Sequence, residues 1–187
     1  MSNIERRTFM QGATLGALAF TVGGVEVLLT PAEAHAQGVP MRTLTAVEGD
    51  TLEDLGETLV PGARAAGIVD FVDQQITGPA GEALLGARIL NVRPPYVNFY
   101  RAALGAVERA SQALNNGRSF PELNAAEQRS FVDNLRQNKV EGWQGPPAAF
   151  VYTVLRGDAV DVVYGTMEGY RLLGIPYMAH IAPKTAW

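Results

Sequence analysis

Between Pro94-Pro95 and Asn116-Gly117, the residues Tyr96, Tyr100, Ala103, Leu104, Val107, Ala110 and Leu114 recur at the 3.6-residue spacing of one helix face. A strand presents every second residue to its core, so this spacing commits the stretch to a helix with one buried side. The same period returns before and after it. Asp50 and Glu53 match a capping box, in which two side chains satisfy free amides at a helix start, and Leu52, Leu55 and Leu59 then share a face up to Pro61-Gly62. Ile68, Val69, Val72 and Ile76 form the next stripe, with Asp70, Asp73, Gln74 and Gln75 expected on the outer side and Thr77-Gly78-Pro79 as the stop.

Asn124 and Glu127 form a second capping box ahead of Phe131, Val132 and Leu135. After Pro146-Pro147, a helix buries Phe150, Val151, Val154 and Leu155, and a turn is expected at Gly157-Asp158 before Val160, Val163, Tyr164 and Met167. No stretch alternates cleanly with period two. The chain therefore reads as all-α, a compact bundle of about five to seven helices with an irregular Gly/Pro-rich C-terminal segment.

The N-terminus has a different grammar. Arg6 and Arg7, with Phe9 two residues on, precede a moderately apolar run from Gly12 to Leu29 that closes on Ala34-His35-Ala36. Paired arginines ahead of such a run are the mark of a twin-arginine export signal. A membrane span needs about 20 apolar residues, and Gly16, Gly23, Gly24 and Glu26 weaken this one. The small residues Ala34 and Ala36 place a cut before Gln37, or alternatively after Ala34. The organisation read from this is a signal over residues 1–36 and a single helical domain over 37–187, entered through an extended linker from Gln37 to Thr45. The twin-arginine route carries folded cargo, so it serves proteins that acquire a cofactor or partner before export to the periplasm.

Composition removes many chemistries. The 15 Lys and Arg against 19 Asp and Glu contain no basic block, which argues against nucleic acid. With no cysteine there is no disulfide, thiolate nucleophile, iron-sulfur cluster or covalent haem attachment. Beyond the signal, His180 is the only histidine, too few for the two- and three-histidine zinc sites. Neither a Gly-x-Gly-x-x-Gly turn nor a Gly-x-Ser-x-Gly elbow occurs. The pairs Asp70/Asp73 and Asp158/Asp161 share helix faces but read as solvated charges. Met167, Met178 and His180 make a weak soft-metal set, better explained by packing.

No catalytic, cofactor-binding or metal-ligating residue is assigned on this basis. A folded-cargo signal on a chain with no cofactor motif points to an escort for another protein's cofactor. Trp143 sits in a Gly/Pro turn, as a lid on the core or an exposed anchor. The tail from Tyr170 to Trp187 is apolar, aromatic and irregular, and either packs on its own core or lies on a partner. The anchors selected for a partner interface are Trp143, Tyr164, Tyr170, Tyr177 and Trp187.

The stretch LGETLVPGARAAGIVDFVDQQI, Leu55 to Ile76, resembles the N-terminal signature of the gluconate 2-dehydrogenase subunit 3 family, a helix running into Pro and a Gly-Ala-x-x-Ala-Gly turn. Phe150, Asp161, Tyr164-Gly165, Gly169 and Gly174-Ile175-Pro176 resemble the family's closing segment, although Gly165-Thr166-Met167-Glu168-Gly169-Tyr170 is shorter than the usual loop. The resemblance implies a small, non-catalytic subunit of a membrane-associated sugar or polyol dehydrogenase complex. It implies a large partner that carries FAD, has no signal of its own and crosses the membrane bound to this chain, and in many complexes a multihaem cytochrome c as third subunit. Two other classes stay open from the residues alone: a free periplasmic helical binding or stress protein, and a small metal-dependent enzyme.

Overall fold

The computed structural model describes residues 17–176. Two strands, β1 (Leu18–Val22) and β2 (Val25–Leu29), pair antiparallel and are followed by eight helices: α1 (Pro31–Ala36), α2 (Ala46–Leu59), α3 (Ile68–Thr77), α4 (Gly86–Ile89), α5 (Tyr96–Leu114), α6 (Ala125–Arg136), α7 (Ala148–Tyr164) and α8 (Met167–Leu172). A 3-10 turn, Phe120–Glu122, links α5 to α6. The all-α reading holds for the body of the chain. Seven helices, α2 to α8, lie within 37–176, in keeping with the expected five to seven, and α1 falls in the stretch read as a signal.

Helix α2 is the hub: it touches α3, α5, α6, α7 and the 3-10 turn. Its Leu52 and Leu55 meet a core that includes Ile68, Val72, Leu104, Val107, Phe120, Leu135, Val151 and Leu155, all essentially free of solvent. Each side chain of this size contributes about 1.5–3 kcal/mol on burial, so the core outweighs any single polar contact. Edge-to-face ring pairs Phe99 with Tyr100 and Phe120 with Phe131 fix its aromatic part.

Several sequence expectations are corrected. Helix α2 is capped five residues earlier than Asp50, because Thr45 and Glu48 form the capping box: Thr45 N–H donates to Glu48 Oε2 at 2.8 Å and Glu48 N–H to Thr45 Oγ1 at 3.3 Å. The linker from Gln37 to Thr45 is largely exposed but tied down at its end, where Leu44 is buried. Asp73 lies inside with Asp70 and Gln75, where an outer face was expected. Its carboxylate accepts from the N–H groups of Arg42 (2.7 Å), Thr43 (2.9 Å) and Leu44 (2.7 Å), so α3 binds the linker over its polar side. Asp158 is likewise buried, and α7 runs unbroken through Gly157-Asp158. One Gly inside a helix costs about 1 kcal/mol, which a helix this well packed absorbs.

The strands are also a correction, since no strand was expected. Gly23 and Gly24 both have positive φ, 57° and 83°, as a two-residue hairpin turn requires, and Val22, Val25 and Val27 suit a pleated ribbon. Phe20 is buried, and α1 packs along α3.

Candidate partner interface

Asp158 organises one side of the molecule. Its Oδ1 accepts the Gly86 N–H at 2.7 Å and its Oδ2 the Tyr100 hydroxyl at 2.6 Å, so one carboxylate on α7 holds α4 and α5 together. Burial pushes its pKa up to about 7, against the lowering effect of the hydrogen bonds from Tyr100 and Gly86. Burial beside that carboxylate also drives the Tyr100 phenol well above its ordinary range. Gly86 suits this close approach: a Cβ there would stand a tight 3.1 Å from Val154 O and 3.3 Å from Asp158 Oδ1. Asp158 has no exposed surface, so the arrangement sets the position of α4.

Held this way, the α4 segment presents Leu84, Ile89 and Leu90 to solvent, Ile89 with 66 % of its surface exposed. Helix α8 supplies a second group at the end of α7. Gly169 lets α8 fold back, since a Cβ there would run into Val163 O and the Tyr164 backbone, and Met167, Leu172, Leu173 and Ile175 are left exposed, Leu172 at 69 %. Asp158 and Tyr164 are six residues apart, about 9 Å of helical rise. Both apolar groups are therefore carried by the C-terminal half of α7. Uncovered aliphatic side chains in such groups mark interaction surfaces more often than scattered ones do.

The selected anchors divide. Tyr164 ends α7 and Tyr170 lies on α8, and both are half-buried. Trp143 lies in the turn before α7, beyond the end opposite α8, and α7 itself is about 25 Å long. It is half-buried against the core with its indole N–H donating to Pro146 O at 2.6 Å, so it acts as a lid. Tyr177 and Trp187 lie outside the described residues, as do Arg6, Arg7, Phe9, Met178 and His180. Leu172 lies in the apolar tail read as packing on its own core or on a partner, whereas Ile89 was not singled out from the sequence, where an aliphatic residue gives no sign of whether anything covers it.

Elsewhere among the described residues, a depression of about 220 Å³ is lined by Thr58, Arg129, Asp133, Arg136 and Tyr152, and another of about 20 Å³ lies beside Phe20, Arg42 and Asp70. Arg136 in the first is already paired with Asp133 at 2.8 Å. Among the described residues no group of three or more His, Asp or Glu side chains is placed to hold a metal ion, and no helix is long and apolar enough to cross a membrane.

The family model for gluconate 2-dehydrogenase subunit 3 matches residues 46–176, from the first residue of α2 to the end of the described chain. No curated protein and no solved structure matches.

Proposed function

From the chain's membership of the gluconate 2-dehydrogenase subunit 3 family, which makes it an accessory subunit of a dehydrogenase complex, we propose that it is the non-catalytic small subunit that binds, stabilises and co-exports an FAD-carrying catalytic subunit. The substrate class is a sugar or polyol, the destination is the periplasm, and membrane association comes through the complex, with a cytochrome c subunit as the electron outlet. The observation that carries the reading is the family match from α2 to α8, which includes both exposed apolar groups.

The division of labour follows from chemistry. A flavin protein must fold around its cofactor before it meets the periplasm, and Arg6-Arg7 on this chain supply a signal read by a route that accepts folded cargo. Leu84, Ile89 and Leu90 on one side and Leu172, Leu173 and Ile175 on the other supply apolar surface of the sort obligate interfaces bury. Pull-down of the tagged chain from its native host, with mass spectrometry and a visible spectrum, tests the reading. A co-purifying flavoprotein with flavin absorption supports it; a colourless monomer from both cytoplasm and periplasm contradicts it.

A further inference from the structure

The Ala34-His35-Ala36 site is folded and docked through Ala34, while Ala36 and Gln37 stand on the exposed side of the helix end. Helix α1 is closed at its start by a capping box, with Thr30 N–H donating to Glu33 Oε2 at 2.8 Å and Glu33 N–H to Thr30 Oγ1 at 3.2 Å. Ala34 has 0 % of its surface exposed. On the α3 side, Gly67 has φ +76° and a Cβ there would collide with the Pro31 carbonyl, so the two backbones are in direct contact. The Gln37 N–H, at the bond a peptidase would cut, donates to Glu33 O at 3.0 Å, and Val39 N–H donates to Ala34 O at 3.0 Å. His35 Nδ1 stands 3.4 Å from Asp70 Oδ2. The hairpin is tied down too, through buried Phe20 and the Gln74 Nε2 donation to Ala19 O at 3.3 Å.

A signal peptidase binds its site as an extended strand, with the small side chains three and one before the cut seated in enzyme pockets. Susceptibility to cutting follows the burial and hydrogen bonding of the backbone concerned. Here that backbone is helical and its key alanine faces α3. A cargo that crosses the membrane folded offers the peptidase this form. Cutting before Gln37 would also remove His35 from the buried Asp70 carboxylate and uncover Gly67.

Resting on the export reading above, we infer that the segment 17–36 is a permanent part of the folded subunit, and that docking of α1 on α3 protects the bond between Ala36 and Gln37 from signal peptidase. The exported subunit then keeps its hairpin and α1.

The full chain with a C-terminal tag is purified from the periplasm of a twin-arginine-competent host, and from its cytoplasm followed by incubation with signal peptidase, and intact masses are measured. The expected mass retains Leu18 and everything after it in both samples; a chain starting at His35 or Gln37 in either overturns the inference. The double variant Phe20→Ala/Thr30→Ala loosens the hairpin and the helix cap without altering residues 34–36. It should be cut before Gln37 at least fivefold faster, and an unchanged rate would mean that packing is not what protects the bond. Arg6→Lys/Arg7→Lys, scored only by location, tests export separately: if that variant reaches the periplasm undiminished the export reading fails, while the masses still decide the fate of α1.

Discussion

The Tyr100 hydroxyl donates to Asp158 Oδ2 at 2.6 Å across the buried junction of α5 and α7, and the same carboxylate receives the Gly86 N–H at 2.7 Å. Replacing Asp158 by Ala leaves two buried donors without an acceptor, each worth about 1–3 kcal/mol when stranded. Asp158→Ala should therefore destabilise the chain by about 2–5 kcal/mol in urea unfolding, and Asp158→Asn by less, because the amide oxygen still accepts. Equal midpoints for Asp158→Ala and wild type would remove the carboxylate from its assigned place.

Asp158 also predicts a direction for the pH dependence. Its folded pKa of about 7 lies above the ordinary 3.8, so between those values the folded state binds the extra proton. Its contribution to stability is complete below about pH 4 and is lost as pH rises to about 7, an effect of the order of 4 kcal/mol over some three pH units. Burial raises Asp70 in the same sense. Glu127, drawn down to about 2 by Arg118, acts oppositely and gives up its contribution as pH falls from 4.5 towards 2. Urea midpoints measured from pH 4.5 to 7.5 should fall with pH in the wild type and fall less steeply in Asp158→Asn.

Asp73 is expected to govern the linker. Asp73→Ala leaves the N–H groups of Arg42, Thr43 and Leu44 without their acceptor, at a cost of about 2–4 kcal/mol. Hydrogen exchange at residues 42–44 should accelerate by more than tenfold, and trypsin should gain access at Arg42. Unchanged protection there would show that the linker is held by something other than this carboxylate.

Ile89 and Leu172 separate binding from folding. Both side chains are mostly exposed, so Ile89→Glu and Leu172→Glu should change stability by no more than about 0.5 kcal/mol. Each should reduce recovery of the large subunit in co-purification at least tenfold if these groups form the interface. Arg129→Glu, in the depression on the α2–α6 side, should leave recovery unchanged.

What was legible in the sequence was local. The stop at Asn116-Gly117, the box at Asn124/Glu127 and the start after Pro147 all rest on neighbours within four residues, and the structure keeps each. Thr45/Glu48 and Asp50/Glu53 lie five residues apart, and the structure forms the earlier box, next to the Leu44 N–H that Asp73 holds from 29 residues away. Asp158 resembled a solvated charge beside Asp161 because its partners, Gly86 and Tyr100, are 72 and 58 residues away. The Gly23-Gly24 hairpin had a readable turn signal, but it lay within a run already explained as an export signal. The exposure of Ile89 and Leu172 depends on which surfaces the other helices leave uncovered, and no local pattern encodes that.

The central claim, that this chain carries a flavin-bearing subunit across the membrane, is tested most directly by measuring that subunit's flavin and dehydrogenase activity in the periplasm of cells making wild-type chain or Arg6→Lys/Arg7→Lys. The account predicts both signals in the periplasm with the wild type and their retention in the cytoplasm, reduced at least tenfold outside, with the variant. Equal periplasmic flavin and activity with both chains would contradict it.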